Sequence, residues 1–200
     1  MPSAAGLDFK SLHDQFRPRV LRYLAHLVGD GEAEDLAQSV FLKVHRALPD
    51  FRGDSSVSTW IYRIATNVAL DSLRRKPAEQ TMTETELERD EDDAPPEAQA
   101  ASAETAAIRE EMNACIRGFI ERLPDSYKTV MVLGELEGFT NPEIAAILEV
   151  SLETVKIRLH RAREKLRKDL QAGCTFYRSE DDELACDRKP DAVVTFRPRT

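Results

Sequence analysis

The stretch from Phe139 to Gln171, FTNPEIAAILEVSLETVKIRLHRAREKLRKDLQ, constrains the fold more than any other part of the chain. Thr140 followed three residues later by Glu143 forms a capping box, and Pro142 falls in the first turn, where its missing N–H costs nothing. Ile144, Ala145 and Leu148 give this short helix one apolar side. Glu149-Val150 then leads to Ser151, a good N-cap for a second helix. In that helix Val155, Leu159, Ala162, Leu166 and Leu170 recur at helical spacing and must face a core. Lys156, His160, Arg163 and Arg167 lie about 100° further round, with Ile157 and Arg161 beyond them.

A short capped helix, a tight turn and a second helix with one apolar and one basic side meet the requirements for reading a DNA major groove. The groove admits one helix, the preceding helix braces it, and N-terminal side chains reach base edges. A solvated amphipathic helix in an ordinary bundle would also carry a basic face. The cap, the turn length and the basic second helix together favour DNA binding.

The whole chain carries a net charge of −8 with pI about 5.1, which is wrong for a protein that grips nucleic acid unaided. The charge is segregated, however. Lys and Arg crowd into Arg17–Arg22, Arg74–Lys76 and Lys156–Lys168, and acid into Glu79–Glu111 and Glu180–Asp187. No apolar run approaches the roughly 20 residues of a membrane span and no charged-then-apolar leader is present, so a soluble cytoplasmic protein is expected. Three cysteines are too few and too odd in number for a disulfide framework. Gly and Pro are scarce in the periodic parts and β-branched alternation is rare, so the class is all-α.

Residues 1–7 read as a loose N-terminus. From Asp8 a first helix carries Phe9, Leu12, Phe16, Val20, Leu21, Leu24 and Leu27-Val28, ending at Gly29-Asp30-Gly31. A second, from about Glu32 to Leu48, puts Leu36, Val40, Val44 and Leu48 on one face and stops before Pro49. A loop, Asp50 to Ser56, precedes a third helix from Val57 to about Arg75. This helix buries Trp60 or Ile61, Ile64 and Val68 and turns Arg63, Asn67, Leu70 and Arg74 outward. Residues 8–76 thus suffice for one small helical domain. Residues 77–107 are acidic, hold Pro95-Pro96 and lack large apolar residues, a composition that cannot offset the entropy of folding; they read as a linker. Helical periodicity resumes at Ile108, Met112, Cys115-Ile116 and Phe119-Ile120. It pauses at Leu123-Pro124-Asp125 and continues through Tyr127–Leu136, giving a second domain over 108–172. The extension 173–200 holds strand-like runs at Cys174–Arg178, Glu183–Cys186 and Val193–Phe196 and suggests a β-hairpin.

EAEDLAQSVFLKVHRAL, followed by FRGDSSVSTWIYRIATNVALDSLRR, resembles domain 2 of the bacterial extracytoplasmic-function (ECF) sigma factors, the small members of the sigma-70 family. LPDSYKTVMVLGELEGFTNPEIAAILEVSLETVKIRLHRAREKLR resembles their domain 4. The resemblance covers about residues 8–172, two blocks in the right order joined by an acidic connector. It implies core RNA polymerase and promoter DNA as partners, with an anti-sigma factor a further candidate, and promoter-specific initiation as the activity. The alternative is a helix–turn–helix regulator whose N-terminal helices sense a ligand or dimerise.

The resemblance also implies roles for single residues. Asp35, Gln38, Phe41 and Lys43 correspond to the helix that docks on the clamp helices of the polymerase largest subunit; Phe41 could equally be core. Phe51, Arg52, Ser55, Ser58, Arg63 and Asn67 correspond to the loop and helix that capture a flipped base of the melted −10 element. That task needs a stacking surface and hydrogen-bond donors to offset a few kcal/mol of unstacking. Thr154, Lys156, Ile157, His160 and Arg161 correspond to readers of the −35 duplex, where Lys and Arg can bond guanine and Ile157 can touch a thymine methyl. Arg158, Arg163, Lys165 and Arg167 suit phosphates, which give affinity and register. The family often has Arg, a small polar residue and an aromatic where this chain has Lys156, Ile157 and His160.

The tail departs from the minimal family pattern, which would stop near Gln171. Cys174 and Cys186 across a hairpin could be half of a zinc site, a redox-sensitive pair, or two unremarkable cysteines on a packing appendage, with Cys115 apart in a core helix. No metal or cofactor is assigned. No enzyme is expected: His13, His26, His45 and His160 are scattered, and neither a Gly-rich phosphate loop nor a nucleophile motif occurs.

Overall fold

A computed structural model describes residues 8–75, 112–113, 115–178 and 184–189. The expected N-terminal tail, the whole linker 77–107, Ile108 at the start of the resumed helical run and the Val193–Phe196 run lie outside the described residues. The described elements are α1 (Phe9–Val28), α2 (Asp30–Ala47), a short 3-10 turn (Leu48–Asp50) and α3 (Val57–Arg75). They continue with α4 (residues 115–121), α5 (Asp125–Met131), a π turn (Val132–Leu136), α6 (Asn141–Leu148) and α7 (Leu152–Gly173). A hairpin of β1 (Cys174–Arg178) and β2 (Leu184–Arg188) follows. The expected all-α architecture with a terminal hairpin is what forms.

Local chemistry accounts for the helix ends. Asp8 caps α1, its carboxylate accepting from the Ser11 N–H at 3.0 Å, and Gly29 at φ 91° ends it. α3 is capped by Ser56, whose hydroxyl accepts from the Thr59 N–H at 3.1 Å. At α6 the expected capping box is present: the Thr140 N–H and hydroxyl donate to Glu143 Oε2 at 2.9 and 2.6 Å. The Ser151 cap on α7 is present too, accepting from the Thr154 N–H at 3.1 Å. The turn between α6 and α7 is closed by Glu149 in the left-handed region, at φ 55°.

The expected unbroken helix through Tyr127–Leu136 is not what forms. α5 widens into a π turn that ends with Glu137 N–H bonded to the Val132 carbonyl and Gly138 at φ 74°. The extra residue per turn swings Glu137 out of the α5 line and toward the N-terminal helices.

α1, α2 and α3 pack around Val20, Leu24, Val40, Val44, Ile61 and Ala65, all fully buried, with the Tyr23 hydroxyl hydrogen-bonded to Thr66 Oγ1 at 2.7 Å. The C-terminal helices enclose Val130, Leu133, Ile144, Ile147 and Val155. The two units are in contact. α3 lies against α6, the Phe139 ring meets Tyr62 edge-on at 4.7 Å, and one apolar core runs through both. No helix among the described residues is long and apolar enough to cross a membrane.

Candidate nucleic-acid interface

α7 carries the duplex-reading candidates. Val155, Leu159 and Ala162 are buried, so the side of the helix away from them must face solvent. On that side Lys156, Ile157, His160 and Arg161 are all exposed. Ile157 leaves 44 % of its surface exposed, an apolar side chain that none of the described residues covers fully. Thr154, half-buried, shares its hydroxyl with the Ser151 cap at 2.8 Å and is tied to the start of the helix. Asn141 of α6 joins Lys156, His160, Arg163, Glu164 and Arg167 around a shallow groove of about 520 Å³. Among the phosphate candidates, Arg163 Nε donates to Glu135 Oε1 at 3.0 Å, Lys165 lies 3.2 Å from Asp169, Arg167 is exposed and Arg158 half-buried.

The −10 candidates divide. Arg52 and Asn67 are exposed, while Ser55, Ser58 and Arg63 are half-buried. Ser58 Oγ sits 2.9 Å from the Ser56 hydroxyl, and Arg63 pairs with Glu149 of the α6–α7 turn at 3.7 Å. Phe51 requires a correction. It is 9 % exposed and packs on Trp60 with ring centroids 4.9 Å apart, so its faces are committed to the core rather than open to a base. The loop therefore offers polar groups without the expected stacking surface. Gly53, at φ 76°, allows its sharp bend.

On α2, Asp35, Gln38 and Lys43 are exposed, as a docking face needs. Phe41 takes the core alternative that the sequence left open. It is 4 % exposed, next to Val40 on the buried arc, and the His13 ring stands edge-on to it at 4.9 Å. Leu42, 52 % exposed and in helical register with Asp35, Gln38 and Ser39, is a large apolar side chain on that exposed side. Its position off the core face was legible; its size on an exposed face was the signal.

Sequence reasoning missed two further features. Glu137, with only 5 % of its side chain exposed, accepts from the Tyr62 hydroxyl and lies 3.7 Å from Arg19. Burial and then the Glu137 charge hold the Tyr62 phenol far above its ordinary range. Cys115, expected apart from the tail cysteines, lies with its sulfur 3.7 Å from that of Cys174. Burial, then the neighbouring thiols, pushes Cys174 up to about 11, and burial raises Cys186 as well.

The chain matches two family models, Sigma-70 region 2 over residues 12–78 and Sigma-70, region 4 over residues 113–166. It is 37 % identical over 161 residues to the RNA polymerase sigma-H factor of Pseudomonas aeruginosa, covering 78 % of this chain and 83 % of that one. It is 33 % identical over 166 residues to the ECF RNA polymerase sigma-E factor of Escherichia coli K12, covering 82 % and 86 %. Among solved structures, the sigma factor RpoE of Bartonella quintana, in complex with the anti-sigma factor NepR, shares the fold. It superposes at a TM-score of 0.62 with 20 % identity, over 82 % of this chain and 97 % of that one.

Proposed function

The chain belongs to the ECF sigma factors of the sigma-70 family, and directs promoter-specific transcription initiation; from that premise we propose how its residues divide the work. α7 reads the −35 duplex through Lys156, Ile157, His160 and Arg161, with Arg158, Arg163, Lys165 and Arg167 on phosphates. The observation that carries this is a solvent-facing basic-and-apolar side on a helix capped by Ser151 and braced by α6. Lys156 and Arg161 supply donors for guanine, and Ile157 a surface for a thymine methyl.

Arg52, Ser55, Ser58, Arg63 and Asn67 hold the unpaired −10 strand through polar contacts. Asp35, Gln38, Leu42 and Lys43 recruit core RNA polymerase through α2, a helix whose opposite side is already spent on the core. Nucleotide polymerisation belongs to the polymerase; this chain contributes recruitment and promoter opening. An anti-sigma factor of the kind seen with the Bartonella relative would have the same two units to hold.

The two DNA elements are centred about 25 base pairs apart, roughly 85 Å along B-form DNA. Arg63, paired with the α6–α7 turn, lies far closer to α7 than that. Promoter engagement therefore requires the units to part, which residues 76–111 permit at up to roughly 3.3–3.6 Å each. Run-off transcription from a promoter library, with and without core polymerase, tests the assignment. Transcripts from particular promoters only in the presence of core are expected. Tight, site-selective binding of intact duplex by the isolated chain would overturn it.

A further inference from the structure

Three cysteines from separate stretches of the chain meet at one point. Cys115 comes from α4, Cys174 opens β1 and Cys186 lies in β2. The hairpin pairs Cys174 with Arg188 and Phe176 with Cys186, so the two strand cysteines stand diagonally on one face. Their sulfurs and that of Cys115 all lie within 4.8 Å of one another, and none is in a disulfide.

We propose that Cys115, Cys174 and Cys186 form a three-thiolate site for one thiophilic d10 cation of the zinc(II) class. Zinc–sulfur bonds of about 2.3 Å at tetrahedral angles place ligand sulfurs roughly 3.8 Å apart. The Cys115–Cys174 separation, 3.7 Å, is already that edge. A disulfide would need about 2.05 Å between two sulfurs and would leave the third thiol without a role. Thiolates select soft cations over magnesium or calcium. Among the described residues no fourth His, Cys, Asp or Glu joins the group, and the three sulfurs are the ligands assigned. Each thiol gives up its proton as its sulfur binds the cation.

The surroundings suit a clamp. A hairpin of two five-residue strands is marginal by itself, and here it follows α7 without a break. Cys174 is 2 % exposed, and beside it the last residue of α7, Gly173, lies against the Phe119 ring of α4. A cation bound by all three sulfurs would fasten α4, the end of α7 and both strands together. Lys189 Nζ donates to the backbone carbonyl of Gln171 at 2.8 Å, which ties the end of β2 back onto α7.

The experiment uses the full-length reduced chain, stripped of metal and titrated with zinc(II) against a chromophoric chelator. One equivalent bound per chain is expected, with X-ray absorption showing three sulfur neighbours at about 2.3 Å. The absorption measurement on the unaltered chain needs no variant to fold. Cys115→Ser should weaken binding at least tenfold, and cobalt(II) in the same site should lose thiolate charge-transfer intensity. No stoichiometric binding, fewer than three sulfur neighbours, or unchanged binding by Cys115→Ser would each overturn the proposal. So would conversion of Cys115 and Cys174 to a disulfide in air with zinc present. Neither polymerase nor DNA enters the measurement, so its outcome is independent of the promoter-reading assignment.

Discussion

The hydroxyl of Tyr62 in α3 donates its hydrogen to the carboxylate of Glu137, 75 residues further along, and that bond joins the N-terminal unit to the C-terminal one. Arg19 approaches the same carboxylate at 3.7 Å, and the Phe139 ring covers Tyr62 from the side. A buried carboxylate is tolerable here because it has both a donor and a cation. Losing a hydrogen bond to a charged group costs about 1.5–3 kcal/mol. Glu137→Ala should therefore lower the melting temperature and enlarge the radius of gyration in X-ray scattering. Promoter-specific transcription with core should hold or rise, given the proposed parting of the units on the promoter. A fall in transcription in proportion to lost stability would show that the contact persists in the working state.

Alkaline pH should loosen the same region. Tyr23 and Tyr62 are both held above the ordinary phenol value of 10.0, chiefly by burial. For a group whose folded value is raised, the stabilisation is complete below the unfolded value and is lost as pH climbs past it. Urea midpoints should therefore be insensitive to these two phenols up to about pH 9 and fall above pH 10. Tyr62→Phe should flatten that fall. An unchanged slope in Tyr62→Phe would show that Tyr62 ionises no differently in the two states.

Gly173 is where α7 passes α4. A Cβ placed there would lie 2.6 Å from Phe119 Cζ, a separation that real side chains essentially never show. Gly173→Ala should destabilise the chain by about 1–3 kcal/mol, as overpacking does. Phe119→Leu in the same chain should return part of that loss in denaturant unfolding. Additive losses would show that the two residues are not coupled.

Thr140→Ala removes one half of the α6 capping box and should cost about 1 kcal/mol of stability. Thr140 hydrogen bonds, first from its hydroxyl and then from its backbone N–H, hold the Glu143 carboxyl below its ordinary value of 4.5. The sign is opposite to the tyrosine case. This contribution is present above the unfolded value and is lost as pH falls through the folded one. Acid titration of the unfolding midpoint should show a smaller drop below pH 4.5 in Thr140→Ala than in the unaltered chain.

Arg161→Ala should reduce promoter-specific transcripts about tenfold or more, since one good base contact is worth about 1–3 kcal/mol. Core binding, measured by co-purification, should not change. Equal loss of both would place Arg161 outside the duplex-reading set.

The elements that sequence made legible are those whose chemistry is local. Thr140 and Glu143 stand three residues apart, Ser151 precedes a periodic run, and each bonds within its own helix. The exposed side of α7 with Lys156, Ile157, His160 and Arg161 followed from the same periodicity, because the burial of Val155 and Leu159 leaves one side for solvent. Phe41 and Phe51 were harder. Both are aromatic residues at positions a surface could use, and what buries them lies elsewhere in the chain: His13 for one, Trp60 for the other. Glu137 reaches Tyr62 only because α5 opens into a π turn, which no short-range pattern announces. Cys115 meets Cys174 across 59 residues, a proximity set by the packing of α4 on the end of α7.

The unbroken run from α7 into β1 has a mechanical consequence. Twenty-two helical residues make a rod of about 33 Å, stiff on the scale of thermal motion. Its front end presents Lys156 and Ile157 and its rear end carries the hairpin through Cys174. A rotation of a few degrees at the rear would move the front by ångströms, so whatever fixes the hairpin also fixes where Lys156 and Ile157 stand.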